Sequence, residues 1–584
     1  QRGCGFPPFA YEHTAHTFVD NSYIGVNVFA NYTLGGFTKG IEVAGGSLTT
    51  FGSSFVSINT TLTGGISFGY TGIDIQSPFT AELNEDPVQL RVDITGGLKS
   101  FGFDRALLLN EVSLNNFQII SSMDFTPSEG AFNSLSPTTT EINGGSFIDC
   151  VFDTTALNVN ATSGQSTAGI HIIESGAVGI IQNTTFIANL SGIELSDCVG
   201  INVDMPSTVL DSCTVSGEIE GPGLDARGVL VAGLFSATSS EFYGTARDGI
   251  RMRAIETEGT IIISGATNVA GSIPELGGDT QIGCYLNSDF ILEDDATLAI
   301  LGVTPPLPRS TGVNLLGSVR KSSPTTSGTT LIVDSEGLTG IFLNAAVINT
   351  NRVFINGTGD FSGIEMFNSS MVCEQASFAG NSLTVADDVD FTFSGTSGCY
   401  LEFNVIETTF QGATRSFEDI SGCELRFLGE QLFSDTLTTG QLTNFIESTV
   451  VFDVNGYNTT NLHLYHEGTT NILSGSIFVD SNAAFDGTLR GCGNLYADNT
   501  AIGTLIPECA SSGDSFQISG NQIFTTYVNG SLARTPCSIT ISGALAIFGG
   551  VSIKHCEPLI NDFDSLSGWP SGASFCLAFG CQFH

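Results

Sequence analysis

The chain has 584 residues and a formal net charge of −41, from 59 acidic against 18 basic side chains. That charge repels phosphate backbones and anionic headgroups, which excludes nucleic acid as a partner, and no run approaches the roughly 18 to 20 apolar residues of a membrane-spanning helix. With 70 Gly, 43 Phe and one Trp, and with Val, Ile and Thr in place of helix-forming runs, the composition points to an all-β chain.

Residues 1–20 stand apart from the rest of the chain. QRGCGFPPFAYEHTAH carries Cys4 far from any other cysteine, with two prolines and aromatic neighbours, and reads as an extension or cap. The chain opens on Gln1 without a charged and then apolar leader, so a leader is expected to have been removed. Residues 21–486 form the expected solenoid body. In its first half, short strands open on glycine: GIHIIES at 169, GIIQNTTF at 179, GIELSDC at 192, GINVDM at 200, GVLVAGLF at 228 and GIRMRA at 249. The intervals from Gly169 to Gly192 and from Gly228 to Gly249 each suggest one coil. TPSEGAFNSLSPTTT, SIPELGG and PPLPRS (305–310) are predicted loops, long enough to project sideways and form a binding surface.

The second half repeats. Phe354, Phe378, Phe403, Phe427, Phe452 and Phe478 recur with a period of about 25 residues, and Cys373, Cys399 and Cys423 keep the same beat. Phe393 and Phe417 each lie six residues before a cysteine. A coil of about 25 residues, with short β runs and Gly, Asn, Asp or Ser turns, suits a right-handed parallel β-helix: each coil returns one strand spacing, about 4.8 Å, further along, and equivalent side chains stack. The leucine-rich repeat has a similar period, but its L-x-x-L-x-L pattern is missing. Residues 487–584 carry Cys492, Cys509, Cys537, Cys556, Cys576 and Cys581 and are predicted to be a disulfide-rich C-terminal β module that caps or joins the solenoid.

Within that last region GTLRGCGNLYADNTAIGTLIPE, FQISGNQIFTTYVNGSL and ITISGALAIFGGVSI resemble the end of an autotransporter passenger or related β-helical surface adhesin. The likeness covers about residues 487–553, and a broader likeness to pectin-lyase-like right-handed parallel β-helices covers most of the chain. No outer-membrane barrel follows, and fourteen cysteines are unusual for passengers. The resemblance implies a secreted surface or fibre protein, eukaryotic or viral in place of bacterial.

The cysteines, Cys4, Cys150, Cys198, Cys213, Cys284, Cys373, Cys399, Cys423 and the six just named, are even in number and lack a CxxC pair. They are candidates for disulfides formed outside the cell or on a cell or virion surface. Sequons at Asn31, Asn59, Asn160, Asn183, Asn189, Asn356, Asn368, Asn458 and Asn529 make a glycoprotein candidate, at a number close to chance in so Ser- and Thr-rich a chain. No cofactor is expected; calcium is the one ion an acidic surface would collect, although no EF-hand-type loop or nonapeptide array occurs.

No catalytic set emerges. Polygalacturonase-like β-helices carry an Asp trio with G-H-G and R-I-K. This chain has no His-Gly pair, and its nearest basic cluster is Arg251 and Arg253. Glu293, Asp294 and Asp295, and likewise Asp387, Asp388 and Asp390, have the makings of a carboxylate pair or calcium ligand set, but read as solvated turns. His463 and His466 would face opposite sides of a strand, which argues against a shared metal. The expectation is a non-enzymatic structural subunit of a secreted filament, sheath or fibre, joined head to tail through its ends to copies of itself. The alternative is a glycan-binding adhesin or tailspike-like polysaccharide-degrading enzyme, with surface glycans as partners and one Trp569 to serve as a platform.

Overall fold

The structure, a computed structural model, describes backbone strands from His16 to Ser567. It describes side chains over most of residues 107–385, with gaps at 123–137, 158–167, 174–179, 193–197, 205–208, 223–224 and 275–278, together with Val389, Glu402, Phe403 and Val405. Every strand register described is parallel, and the fold is an all-β parallel β-solenoid of about eight turns over the residues whose side chains are described. No helix among the described residues is long and apolar enough to cross a membrane. The chain divides into two compact units, residues 1–329 with 333–340, and residues 330–332 with 341–584.

In the first unit each coil contributes one strand to each of three sheets. Sheet A stacks Ile180–Gln182, Val209–Asp211, Leu234–Thr238 and 260–264. Sheet B stacks 151–156, 185–191, Thr214–Glu220, Glu241–Arg247 and Ala266–Ser272. Sheet C stacks 166–173, 197–204, Gly223–Ala232, 251–257 and 280–286. Coil length is not uniform: Val151 lies opposite Thr185, whereas Thr214 lies opposite Glu241, a shorter step along the chain. In the second unit the steps are shorter again, with Arg352 paired to Gln375 and Gln375 to Tyr400.

Alternation of side chains along each strand builds the core. On sheet B the inward column runs Phe152, Phe186, Val215, Phe242, Val269, Ile300, one residue per coil, all buried. The Phe152 and Phe186 rings stack 4.9 Å apart at 16°, as a parallel in-register ladder allows. The A-to-B corners of most of these coils are turned by one residue in the left-handed region: Asn116, Asp149, Asn183, Ser212, Ser239 and Asp295, with φ between 46° and 58°. Asn and Asp tolerate that conformation better than bulky residues do. At four successive corners a small polar residue follows and points inward. Cys150, Thr184, Cys213 and Ser240 each donate to two backbone carbonyls, as Ser240 does to Leu210 and Thr238 at 3.1 and 3.0 Å.

Several sequence expectations shift. Thr138–Thr140, read as the end of a loop, are buried strand residues. Gly169 has its coil neighbour at Gly200, not Gly192, and Gly228 has Ala254, not Gly249, because the first-unit coils are longer than the spacing assumed. In the second unit the Phe row is Phe378, Phe403, Phe427, Phe452 by register, and the Phe378 and Phe403 rings stack at 5.2 Å and 7°. Phe354 is not in it: Ile355 stands opposite Phe378, and Phe354 is exposed on the other side of its strand. Phe478 is also outside the row, since Phe452 pairs with Ile472 and Phe478 with Tyr496. Phe417 lies outside the described residues, and Phe393 pairs with Cys373.

Candidate functional site

Sheet C is bent, and the bend is written as a dipeptide. Gly169-Ile170, Gly200-Ile201, Gly228-Val229, Ala254-Ile255, Gly283-Cys284 and Gly312-Val313 each bury two consecutive residues where a regular strand would bury one. At the bend sheet C presses against sheet B. A Cβ on Gly217 or on Gly228 would sit closer than 3.0 Å to backbone atoms of the other strand, and the same holds for Gly271 against Gly283 and Gly302 against Gly312. The residues flanking the buried pair stand three positions apart on the same side of the strand; Arg227 with Leu230 and Thr311 with Asn314 are both part-exposed, whereas Ala168, Val199, Glu256 and Ile282 are covered.

On the coil at 251–257 those two residues are Arg253 and Glu256, and they form an ion pair, Nη1 to Oε1 at 2.7 Å. One coil earlier Arg227 reaches the other Glu256 oxygen through Nε. One coil later Tyr285, opposite Glu256 in register, lies under the Arg253 guanidinium, 4.6 Å from Cζ to the ring centroid. Glu256 is only 3% exposed, so this carboxylate is enclosed by two guanidiniums drawn from adjacent coils. Removing one partner of such a set leaves an uncompensated buried charge. The Glu256 column continues as His171, Asn202 and Leu230 on one side and Asn314 beyond Tyr285 on the other. The Asn202 and Asn314 Oδ1 atoms are buried with no hydrogen-bond partner among the described residues. At the rim, exposed Arg251 lies 3.7 Å from Asp225.

Of the residues singled out by sequence, Arg253 belongs to this face and Arg251 to its edge. Glu293, Asp294 and Asp295 are exposed on the corner between sheets A and B, where Asp295 takes the left-handed φ of 57° and Asp294 accepts the Ser327 N–H at 2.9 Å. No group of three or more His, Cys, Asp or Glu fit to hold a metal occurs among the described residues. Asp390 opens the strand Asp390–Phe393 and His466 lies within Leu464–Val479, while Asp387, Asp388 and His463 fall outside the described residues.

Cys150, Cys198, Cys213, Cys284 and Cys373 are buried. Burial pushes the Cys150 and Cys213 thiols up to about 11 and that of Cys284 to about 12. For the other nine cysteines no side chain is described. Asn183, Asn189, Asn356 and Asn368 are exposed; Asn31, Asn59, Asn160, Asn458 and Asn529 are sequons whose side chains fall outside the described residues.

Arg227, Glu256 and Tyr285 were not evident from the sequence. The signal for them was the Gly or Ala followed by a β-branched residue or Cys, which sets the i, i+3 outward pairing that joins Arg253 to Glu256. No family model, curated protein or solved structure matches this chain.

Proposed function

We propose that the chain is a non-enzymatic structural subunit of a secreted extracellular filament, sheath or fibre, a right-handed parallel β-helix of the pectin-lyase-like kind that assembles head to tail through its ends. The observation that supports it most is the parallel pairing of coil on coil through the described strands, a stack that another copy could continue. His16–Asp20 and Tyr23–Asn31 pair with Lys39–Phe51 and Phe55–Thr63. Val551–Ile553 and Phe563–Ser567 pair with Gln522–Asn529 and Ser538–Ile547. An unpaired parallel edge is a template for another chain. Joining one kind of end to the other is a heterologous contact, which propagates into a filament when it does not close. Sedimentation velocity tests this: mass should grow with concentration, and Val28→Pro, which removes a donor from a strand at the proposed contact, should hold the chain as monomer. A wild-type chain that stays monomeric at every concentration would refute it.

A second reading, a glycan-binding adhesin or tailspike-like polysaccharide-degrading enzyme, draws on the outer face of sheet C. There Tyr285 and the Asn202 and Asn314 amide oxygens, which have no hydrogen-bond partner among the described residues, lie along one line of coils, with Arg253 over the Tyr285 ring. Retention of the chain on a glycan panel, lost in Tyr285→Ala, would favour it; release of soluble oligosaccharide would make it an enzyme.

A further inference from the structure

Fourteen cysteines permit many pairings, but the strand registers described set just one pair of them opposite each other. Cys399, first residue of the strand Cys399–Gln411, lies across from Cys423, first residue of Cys423–Phe433. Further along the same two strands the register sets like residues opposite each other, Leu401 with Leu425 and Phe403 with Phe427. One coil earlier the same ladder is fixed by the stacked rings of Phe378 and Phe403, both wholly buried. Adjacent strands lie about 4.8 Å apart, inside the roughly 4.4 to 6.8 Å Cα separation that a disulfide spans.

We propose that Cys399 and Cys423 form a disulfide that staples two successive coils of the second unit. In the step, each thiol gives up a proton, the two sulfurs bond, and the two electrons pass to a small-molecule disulfide such as oxidised glutathione, which leaves as two thiols. The bond closes a loop of about two dozen residues, which in the chain-entropy account contributes by restricting the unfolded state. The register decides which two cysteines are opposed, and an oxidising compartment is needed for the bond to form. Cys373 is the nearest competitor, since Gln375 pairs with Tyr400 and so places Glu374, the residue after Cys373, beside Cys399. The coil beat that groups Cys373 with Cys399 and Cys423 does not survive in the register, where Cys373 pairs with Phe393.

The test is peptide mapping of the purified full chain after equilibration in a glutathione redox buffer and alkylation of remaining thiols. Cleavage at glutamate separates the candidates, because Glu374 stands between Cys373 and Cys399. The expected result is a reductant-sensitive linked pair containing Cys399 and Cys423, with both protected from alkylation together. In the Cys399→Ser variant Cys423 should return to full alkylation; should that variant fail to fold, the wild-type map decides by itself. Linkage of Cys399 to Cys373, or alkylation of both Cys399 and Cys423 in the most oxidising buffer, overturns the proposal.

Discussion

Ser121, Thr140 and Thr154 meet inside the first unit, their hydroxyls 2.5, 2.9 and 3.2 Å apart. Three hydroxyls in a triangle can each donate once and accept once, so the ring satisfies itself without water in an otherwise apolar interior. The thiols of Cys150, Cys213 and Cys284 are matched to their burial in another way, by staying protonated. Their folded values of about 11 to 12 lie above the ordinary 9.0, so the unfolded chain loses these protons first as pH rises. Their contribution to stability is complete below pH 9 and falls as pH climbs through 9 toward 11 to 12. Denaturant melts across pH 8 to 11 should show that decline, and the Cys213→Ser variant, which keeps a donor at the corner as Ser240 does, should show a smaller one. At Gly228 the constraint is steric. Gly228→Val would thrust a branched side chain into backbone of sheet B and should cost about 3 kcal/mol or more in the same melts, at the upper end of overpacking. A loss below about 0.5 kcal/mol, the ordinary range of a surface change, would mean the two sheets do not touch there.

At the scale of the element, the bend in sheet C is the feature with the most consequences. It brings Arg253 and Glu256 to the same outer side three residues apart and lets Arg227 and Tyr285 close around them from neighbouring coils. Glu256→Gln should therefore destabilise the fold by about 3 to 5 kcal/mol, the range for breaking a buried ion pair. Replacing Glu256, Arg227 and Arg253 together with leucines should recover much of that loss. Equal destabilisation in the single and triple variants would show that the charges are not acting as a set.

The glycines that mark this bend were visible in the sequence, and so was the all-β composition. Their meaning was not, because a glycine that opens a strand and one that lets two backbones touch look alike in one dimension. The Phe row shows the same limit: Phe378, Phe403, Phe427 and Phe452 were legible by spacing, whereas Phe354 kept the spacing and pointed outward. A difference of one residue in coil length reverses a strand side, and periodicity alone does not fix that parity.

At the scale of the whole chain, the parallel solenoid was readable from the coil period in the second unit. The first unit was harder to read because its coils range more widely, as the Val151 to Thr185 and Thr214 to Glu241 registers show. Hydrogen bonding from coil to coil makes stability a sum over neighbours, and a coil without a neighbour on one side would offer an edge that another chain could extend. The acidic surface, at a net charge of −41, opposes side-to-side contact, and in the proposed assembly copies meet through the ends of the solenoid. Electron microscopy of the purified native chain at increasing concentration tests this most directly. Unbranched filaments are expected, with diffraction that carries a meridional spacing of about 4.8 Å, the coil rise continued across subunits. Discrete particles of one chain at every concentration would contradict end-to-end assembly.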